Sequence, residues 1–386
     1  MPNHKHILFL FIGVLVVVGL YFYMPYKHLT QNVIADDSFK DGQVIKLPDV
    51  GPAVTHIKTP ESVRALYMTS WVAGTSSIRD RVINLLDTTE ANAVVIDIKD
   101  ATGKIAFTLQ DEPFASLESS NNRIPNIKDL IEKLHAKNIY VIGRIAVFQD
   151  PYLIKKWPEE AVKTDTDRTL AWQDRKGIGW FDAGSQKVWD YVVDLARESH
   201  DVGFDEINFD YVRFPSDGDM NDIYFPISDG KSKPDVIESF FQYLDMKLRA
   251  TDDPIVISAD LFGLTTTTSD GLGIGQVLEK ALPYFDFVDP MVYPSHFPDT
   301  WNGFANPADH PYDIIKITMD SAVSKAKSIN ENPLKIRPWL QDFNMGAVYT
   351  AEMVRAQITA TYDSGLNSWL IWDPKNIYTK GALLPI

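Results

Sequence analysis

From Ala65 to Pro374 the chain repeats one alternation. A short run rich in β-branched and aromatic residues is followed by a longer segment with apolar residues three and four apart. The runs are ALYMTSW (65–71), AVVIDIKD (93–100), IYVIGRIAVF (139–148), DEINFDYVRF (205–214), IVISADLFG (255–263), DFVDPMVYP (286–294), KIRPWLQDF (335–343) and SWLIWDP (368–374). Between them lie SSIRDRVINLLDTTE, IKDLIEKLHAKN, SQKVWDYVVDLARESHD, VIESFFQYLDMKL, GQVLEKALPYF, IIKITMDSAVSKAKSI and TAEMVRAQITATYDSG, all of helical period. Strands joined through helices pair in parallel. Eight of them with seven helices predict an α/β fold, a single (β/α)8 TIM barrel. Only twelve residues follow the last run, so the eighth helix is expected to be missing or replaced, with the stretch before Ala65 covering that side. An open doubly wound sheet is the alternative. It would carry a Gly-rich phosphate turn after its first strand, where this chain has SWVAGTSS. GLGIG at 271–275 lacks the required spacing.

Residues 7–24, ILFLFIGVLVVVGLYFYM, are uncharged and long enough to span a bilayer as a helix. No small-x-small cleavage site follows. The expected organisation is a signal-anchor or transmembrane segment over 1–29, a linker and lead-in over 30–64, and the barrel over 65–386. The membrane is thus a partner through the N-terminal helix, and the globular domain is expected outside the cytoplasm, periplasmic or at the cell surface. A net charge of −15 argues against nucleic acid. The absence of cysteine rules out disulfides and thiolate metal sites.

A barrel strand turns alternate residues inward. That rule sends Asp97 and Lys99 inward from the second strand, Arg144 from the third, and Glu206, Asn208 and Asp210 from the fourth. Ser258 and Asp260 follow from the fifth, Asp289 and Tyr293 from the sixth, and Arg337, Trp339 and Gln341 from the seventh. The eighth ends in Trp372-Asp373. The opposite rows are apolar, as in Val94, Ile96 and Ile98, or Ile207, Phe209 and Tyr211. One acid at a strand end is ordinarily a cap or an ion-pair partner. So many at the same ends of different strands point to one polar pocket, because buried charge is costly elsewhere. The longest connections, 149–184, 215–235 and 295–311, all follow strands and gather at that same face.

Few chemistries suit the set. No H-E-x-x-H occurs, the one H-x-H (His4-Lys5-His6) precedes the apolar N-terminal run, and only His296 and His310 lie near the predicted mouth. No G-x-S-x-G turn occurs. Lys99 is flanked by Asp97 and Asp100, which keep it charged and unsuited to Schiff-base work. Paired carboxylates remain, as glycoside hydrolysis requires. One must be ionised beside Arg144 or Arg213, and the other must hold a proton in a drier setting. Trp71, Trp180, Trp301, Trp339 and Trp372 fall at strand ends or in the loops, where indoles can stack on sugar rings or fill the barrel top. Asp97, Lys99, Arg144, Glu206, Asn208, Arg213, Tyr293, His296, Trp339, Gln341 and Trp372 are candidate substrate-binding residues for a carbohydrate. No metal or cofactor is expected.

FDEINFDYVRFP, with VVIDIKDATGKI before it and DFVDPMVYPSHF after it, resembles a bacterial family of glycosyl-hydrolase domains, formerly a domain of unknown function. That family is a distant (β/α)8 relative of the α-amylase and α-galactosidase groups. The similarity runs from about Ala65 to Pro374. It implies a hydrolase acting on a polysaccharide or cell-envelope glycan. It places the nucleophile at Asp210 and the acid/base carboxyl at Asp260 or Asp289. An amylase-like pattern has Glu on the fifth strand, and this chain has Asp. Two other readings stand beside it: a non-catalytic glycan-binding barrel at the cell envelope, and a metal-dependent hydrolase or lyase holding its ion by carboxylates alone.

Overall fold

The computed structural model describes residues 54–386. The expected anchor and most of the linker lie outside the described residues. No helix among the described residues is long and apolar enough to cross a membrane.

Eight parallel strands close into a barrel in sequence order. They are β1 (Arg64–Met68), β2 (Ala93–Lys99), β3 (Tyr140–Ala146), β4 (Glu206–Asp210), β5 (Val256–Phe262), β6 (Phe287–Met291), β7 (Trp339–Gln341) and β8 (Trp369–Trp372). Closure is made where β1 pairs with β8, Arg64 opposite Trp369. The helices are α1 (Ser70–Gly74), α2 (Ser76–Leu86), α3 (Phe114–Leu117), α4 (Ile127–His135), α5 (Gln186–Val202), α6 (Lys233–Leu244), α7 (Leu278–Ala281), α8 (Pro311–Ser328) and α9 (Ala351–Asp363).

The period-two pattern divides the apolar residues into two bodies. Val94, Ile96, Ile98, Ile207 and Phe209 join the belt between sheet and helices. Ala93, Val95, Tyr140, Ile142 and Trp339 pack inside the barrel. Local signals set the helix ends. The Ser185 hydroxyl accepts from Val188 N at 3.2 Å to start α5, and Gly203, at φ +129°, ends it.

Most strands end a residue or more inside their predicted runs, and three elements shorten for identifiable local reasons. The GQVLEKALPYF helix shrinks to α7, because Val277 is extended and Pro283 cannot continue the ladder. The seventh strand shrinks from 335–343 to β7, since Pro333–Lys335 makes a 3-10 turn and Pro338 has no N–H to donate. β4 stops at Asp210, and Tyr211 leaves the outward row with a φ of +55°. After β8 the chain makes one 3-10 turn, Lys380–Ala382, and no helix.

A buried ion layer closes the lower interior. Arg337 donates to both oxygens of Glu206, at 2.5 and 3.1 Å, and to both oxygens of Asp289, at 2.9 and 2.8 Å. All three side chains are fully buried. Such a layer survives burial because the guanidinium fork satisfies both carboxylates at once.

Candidate active site

The C-terminal ends of the strands surround a cleft of about 620 Å³. One wall is made by β2 to β5, which bring Asp97, Arg144, Asp210 and Asp260 together. Arg144 is the hub. Its Nη1 donates to Asp97 Oδ1 at 2.7 Å, its Nε donates to Asp210 Oδ2 at 3.1 Å, and its Nη2 donates to the same Asp210 oxygen. The Nε also lies 3.7 Å from Asp260 Oδ2. Two carboxyl oxygens at 3.1 and 3.7 Å from one nitrogen cannot be more than about 7 Å apart, a separation at which they can act on one glycosidic bond.

The backbone completes the hold on Asp210. Tyr211 N donates to Asp210 Oδ1 at 2.5 Å. The left-handed φ of Tyr211 turns that N–H back and also brings its ring to the cleft. A non-glycine residue accepts this backbone only where its surroundings impose it.

Asp260 differs in kind. Its Oδ1 accepts from Trp339 Nε1 at 2.8 Å and from Asn208 Nδ2 at 2.9 Å. Burial pushes its carboxyl well above the usual carboxylate range, and the charges of Asp210 and Asp289 push the same way. Oδ1 is taken by these two donors, and Oδ2 is the oxygen that faces Arg144. Asp97 is also raised, chiefly by burial, and accepts from Tyr67 Oη at 2.6 Å.

Of the other sequence candidates, Tyr293, His296, Trp339 and Trp372 line the cleft. Burial lowers the His296 imidazole's affinity for a proton, and its ring lies 5.2 Å from that of Tyr293. Six candidates do not line it. Glu206 and Asp289 are in the Arg337 layer beneath, where burial raises Asp289 to about 6 against the pull of Arg337. Asn208 sits under the floor, its amide reaching Asp260. Lys99 is diverted at a register shift in β2 and is buried against Asp150 at 2.9 Å. Among the described residues Arg213 has no acid partner within ion-pair distance. Its guanidinium lies 4.7 Å from the Trp180 ring centroid and 4.8 Å from that of Phe262, backing the wall from behind. Gln341 accepts from Ser295 N at 3.1 Å and holds the loop after β6. Among the tryptophans, Trp180 is fully buried and Trp301 packs on Phe297.

Trp71, one of the indoles expected at the strand ends, lines the cleft, and the structure adds Tyr67, Thr102, Tyr211 and Phe262. Tyr67 was within reach of the alternation rule, two residues after Ala65. Tyr211 was not, because a positive φ leaves no periodic trace. Among the described residues no three His, Asp or Glu side chains converge as metal ligands would.

Residues 65–378 match the model of a family described as "Putative glycosyl hydrolase domain". The chain belongs to that family. Among solved structures, it is similar to the PgaB (BpsB) glycoside hydrolase domain from Bordetella bronchiseptica. Identity there is 13%, coverage is 82% of this chain and 95% of that one, and the TM-score is 0.56. A hypothetical protein from Ruminiclostridium thermocellum ATCC 27405 is 33% identical over 50% of this chain and 96% of its own, with a TM-score of 0.46. The α-galactosidase TtGalA from Thermus thermophilus is 13% identical over 83% of this chain and 60% of its own, with a TM-score of 0.48. The PgaB likeness is one of fold. No curated protein matches the chain.

Proposed function

We propose that the protein is a retaining glycoside hydrolase, with Asp210 as nucleophile and Asp260 as acid/base. One observation carries this reading: a single guanidinium, Arg144, spans both carboxyls while burial pushes Asp260 well above the usual carboxylate range. In the first step Asp210 attacks the anomeric carbon and forms a glycosyl ester. The glycosidic C–O bond breaks, and Asp260 gives its Oδ2 proton to the departing oxygen. In the second step Asp260 takes a proton from water, the water oxygen attacks the same carbon, and the ester bond to Asp210 breaks. Asp97 and Tyr67 act by holding Arg144, and Asn208 and Trp339 by fixing Asp260. The acids beneath, Asp289 included, are already bound to Arg337 and serve the scaffold.

The apolar run at 7–24 supports a membrane-anchored protein with its barrel outside the cytoplasm. A polysaccharide or envelope glycan is the substrate class proposed.

The test is a reducing-end assay of the full-length chain on soluble starch, galactomannan, glycol chitin and peptidoglycan. Asp210→Asn is expected to abolish release. Asp260→Asn is expected to lower it by about 10²–10⁴-fold. NMR of the first product should show the substrate's own anomer. Binding of a panel glycan without release would replace the reading with a glycan-binding barrel, and an inverted product would remove Asp210 as nucleophile.

A further inference from the structure

The loop after β1 carries an aromatic side chain that the cleavage chemistry does not use. Trp71, on α1, lines the cleft and leaves 61% of its surface exposed. In the cleft, an indole so exposed offers a broad apolar face to a ligand. This one is also held in place. The Arg123 guanidinium lies 4.7 Å from its ring centroid. Arg123 is itself fixed, its side chain only 3% exposed. It donates to Ser70 Oγ at 3.0 Å, to Thr102 Oγ1 at 2.9 Å and to an oxygen of Asp100. The Thr102 hydroxyl donates onward to Asp100 Oδ1 at 2.5 Å. Helix α1 has little room to shift. Thr69 caps it through Val72 N, and a Cβ on Gly74 would come within 2.0 Å of the Arg123 carbonyl oxygen.

A cation therefore covers one side of the ring, and the rest is open. Asp100 and Thr102 line the cleft beside it. An immobile indole with a hydroxyl and a carboxylate at its edge matches a pyranose ring, whose C–H face is apolar and whose rim is hydroxylated.

We infer that Trp71 is the platform for a sugar unit other than the one being cleaved, so that the substrate is an oligomeric or polymeric glycan laid across the mouth. The assignment of the cleaved unit rests on the hydrolase reading above. The separation comes from topology. In the closed barrel β1 stands four strands from β5 in either direction, so the loop after β1 faces Asp260's strand across the cleft. A ring stacked on Trp71 is not the ring between Asp210 and Asp260. Fixing the platform before binding avoids the cost of ordering it in the complex.

The test compares wild type, Trp71→Ala and Trp71→Phe as full-length chains. Met246→Ala, also well exposed but away from the cleft, is the control. Binding is read by retardation in native gels cast with soluble starch, galactomannan or glycol chitin. Turnover is read on the polymer that wild type cleaves and on the 4-nitrophenyl glycoside of its monosaccharide. The expected result is that Trp71→Ala weakens polymer retardation by about tenfold, with Trp71→Phe intermediate. The loss in kcat/KM should also be about tenfold greater on the polymer than on the nitrophenyl glycoside, and should fall mainly on KM. Equal losses on both substrates, or retardation that Trp71→Ala leaves as in wild type, would overturn the platform. Retardation that depends on Trp71 without any release would keep the platform and remove the hydrolase reading. A wild type retarded by none of the polymers would remove the platform.

Discussion

Trp339→Phe tests the assignment of Asp260 through its environment instead of its removal. The indole N–H donates to Asp260 Oδ1 at 2.8 Å in a site where Trp339 is 2% exposed. Phenylalanine keeps a ring in place and deletes that donor. A hydrogen bond to a carboxylate outweighs one to a neutral acid by about 1 kcal/mol, which is somewhat under one pKa unit. The bond favours the charged form, so its loss raises an already raised Asp260 further. An acid catalyst must be protonated to act, so activity is lost on the basic limb of the pH profile. That limb should move to higher pH by roughly half to one unit. At the optimum, kcat should fall by about tenfold on the natural glycan, because the carboxyl has lost one of its two restraints. The fall should be smaller on a dinitrophenyl glycoside, whose leaving group needs little protonation. The assay is kcat/KM against pH on both substrates, with the thermal midpoint as a check on folding. A basic limb that stays put or moves to lower pH would refute Asp260 as the acid. Equal losses on both leaving groups would show that Trp339 acts only by filling space.

Two further predictions concern the scaffold. Arg337→Met leaves Glu206 and Asp289 buried without their cation, which should cost about 3–5 kcal/mol at pH 7 and less at pH 5, where Asp289 can protonate; urea midpoints at the two pH values measure this. Burial raises Asp342 to about 6, above the unfolded value of about 3.9. Its contribution to stability is therefore complete below pH 4 and is lost as pH rises through 6, a fall of about 2–3 kcal/mol. Asp342→Asn should flatten that window in guanidinium titrations, since its amide can still pair with Thr379.

The polar wall of the site was legible because a barrel strand has a side-chain period of two. Once Val94, Ile96 and Ile98 are assigned to the helix belt, Asp97 must face inward. The same argument carries Arg144, Asp210 and Asp260 to one interior. The sequence alone therefore determined the eight-stranded parallel ring, the inward face of each strand and the end where the loops collect. Period says which face a residue takes, and nothing about its height along the barrel axis. Glu206, Asn208 and Asp210 share a face in β4, yet only Asp210 reaches the cleft. Asp260 and Asp289 are register partners in β5 and β6, yet Asp289 pairs with Arg337 beneath while Asp260 lines the cleft. Other details depend on contacts between segments far apart in the chain. The register shift in β2 sends Lys99 to Asp150. The left-handed turn at Tyr211, local but without periodic trace, locks its neighbour Asp210. Arg123, more than fifty residues from Trp71, holds that ring at the rim. Only the closed barrel brings such groups together, and the upward push on the Asp260 carboxyl follows from that closure, because desolvation is a property of the assembled interior.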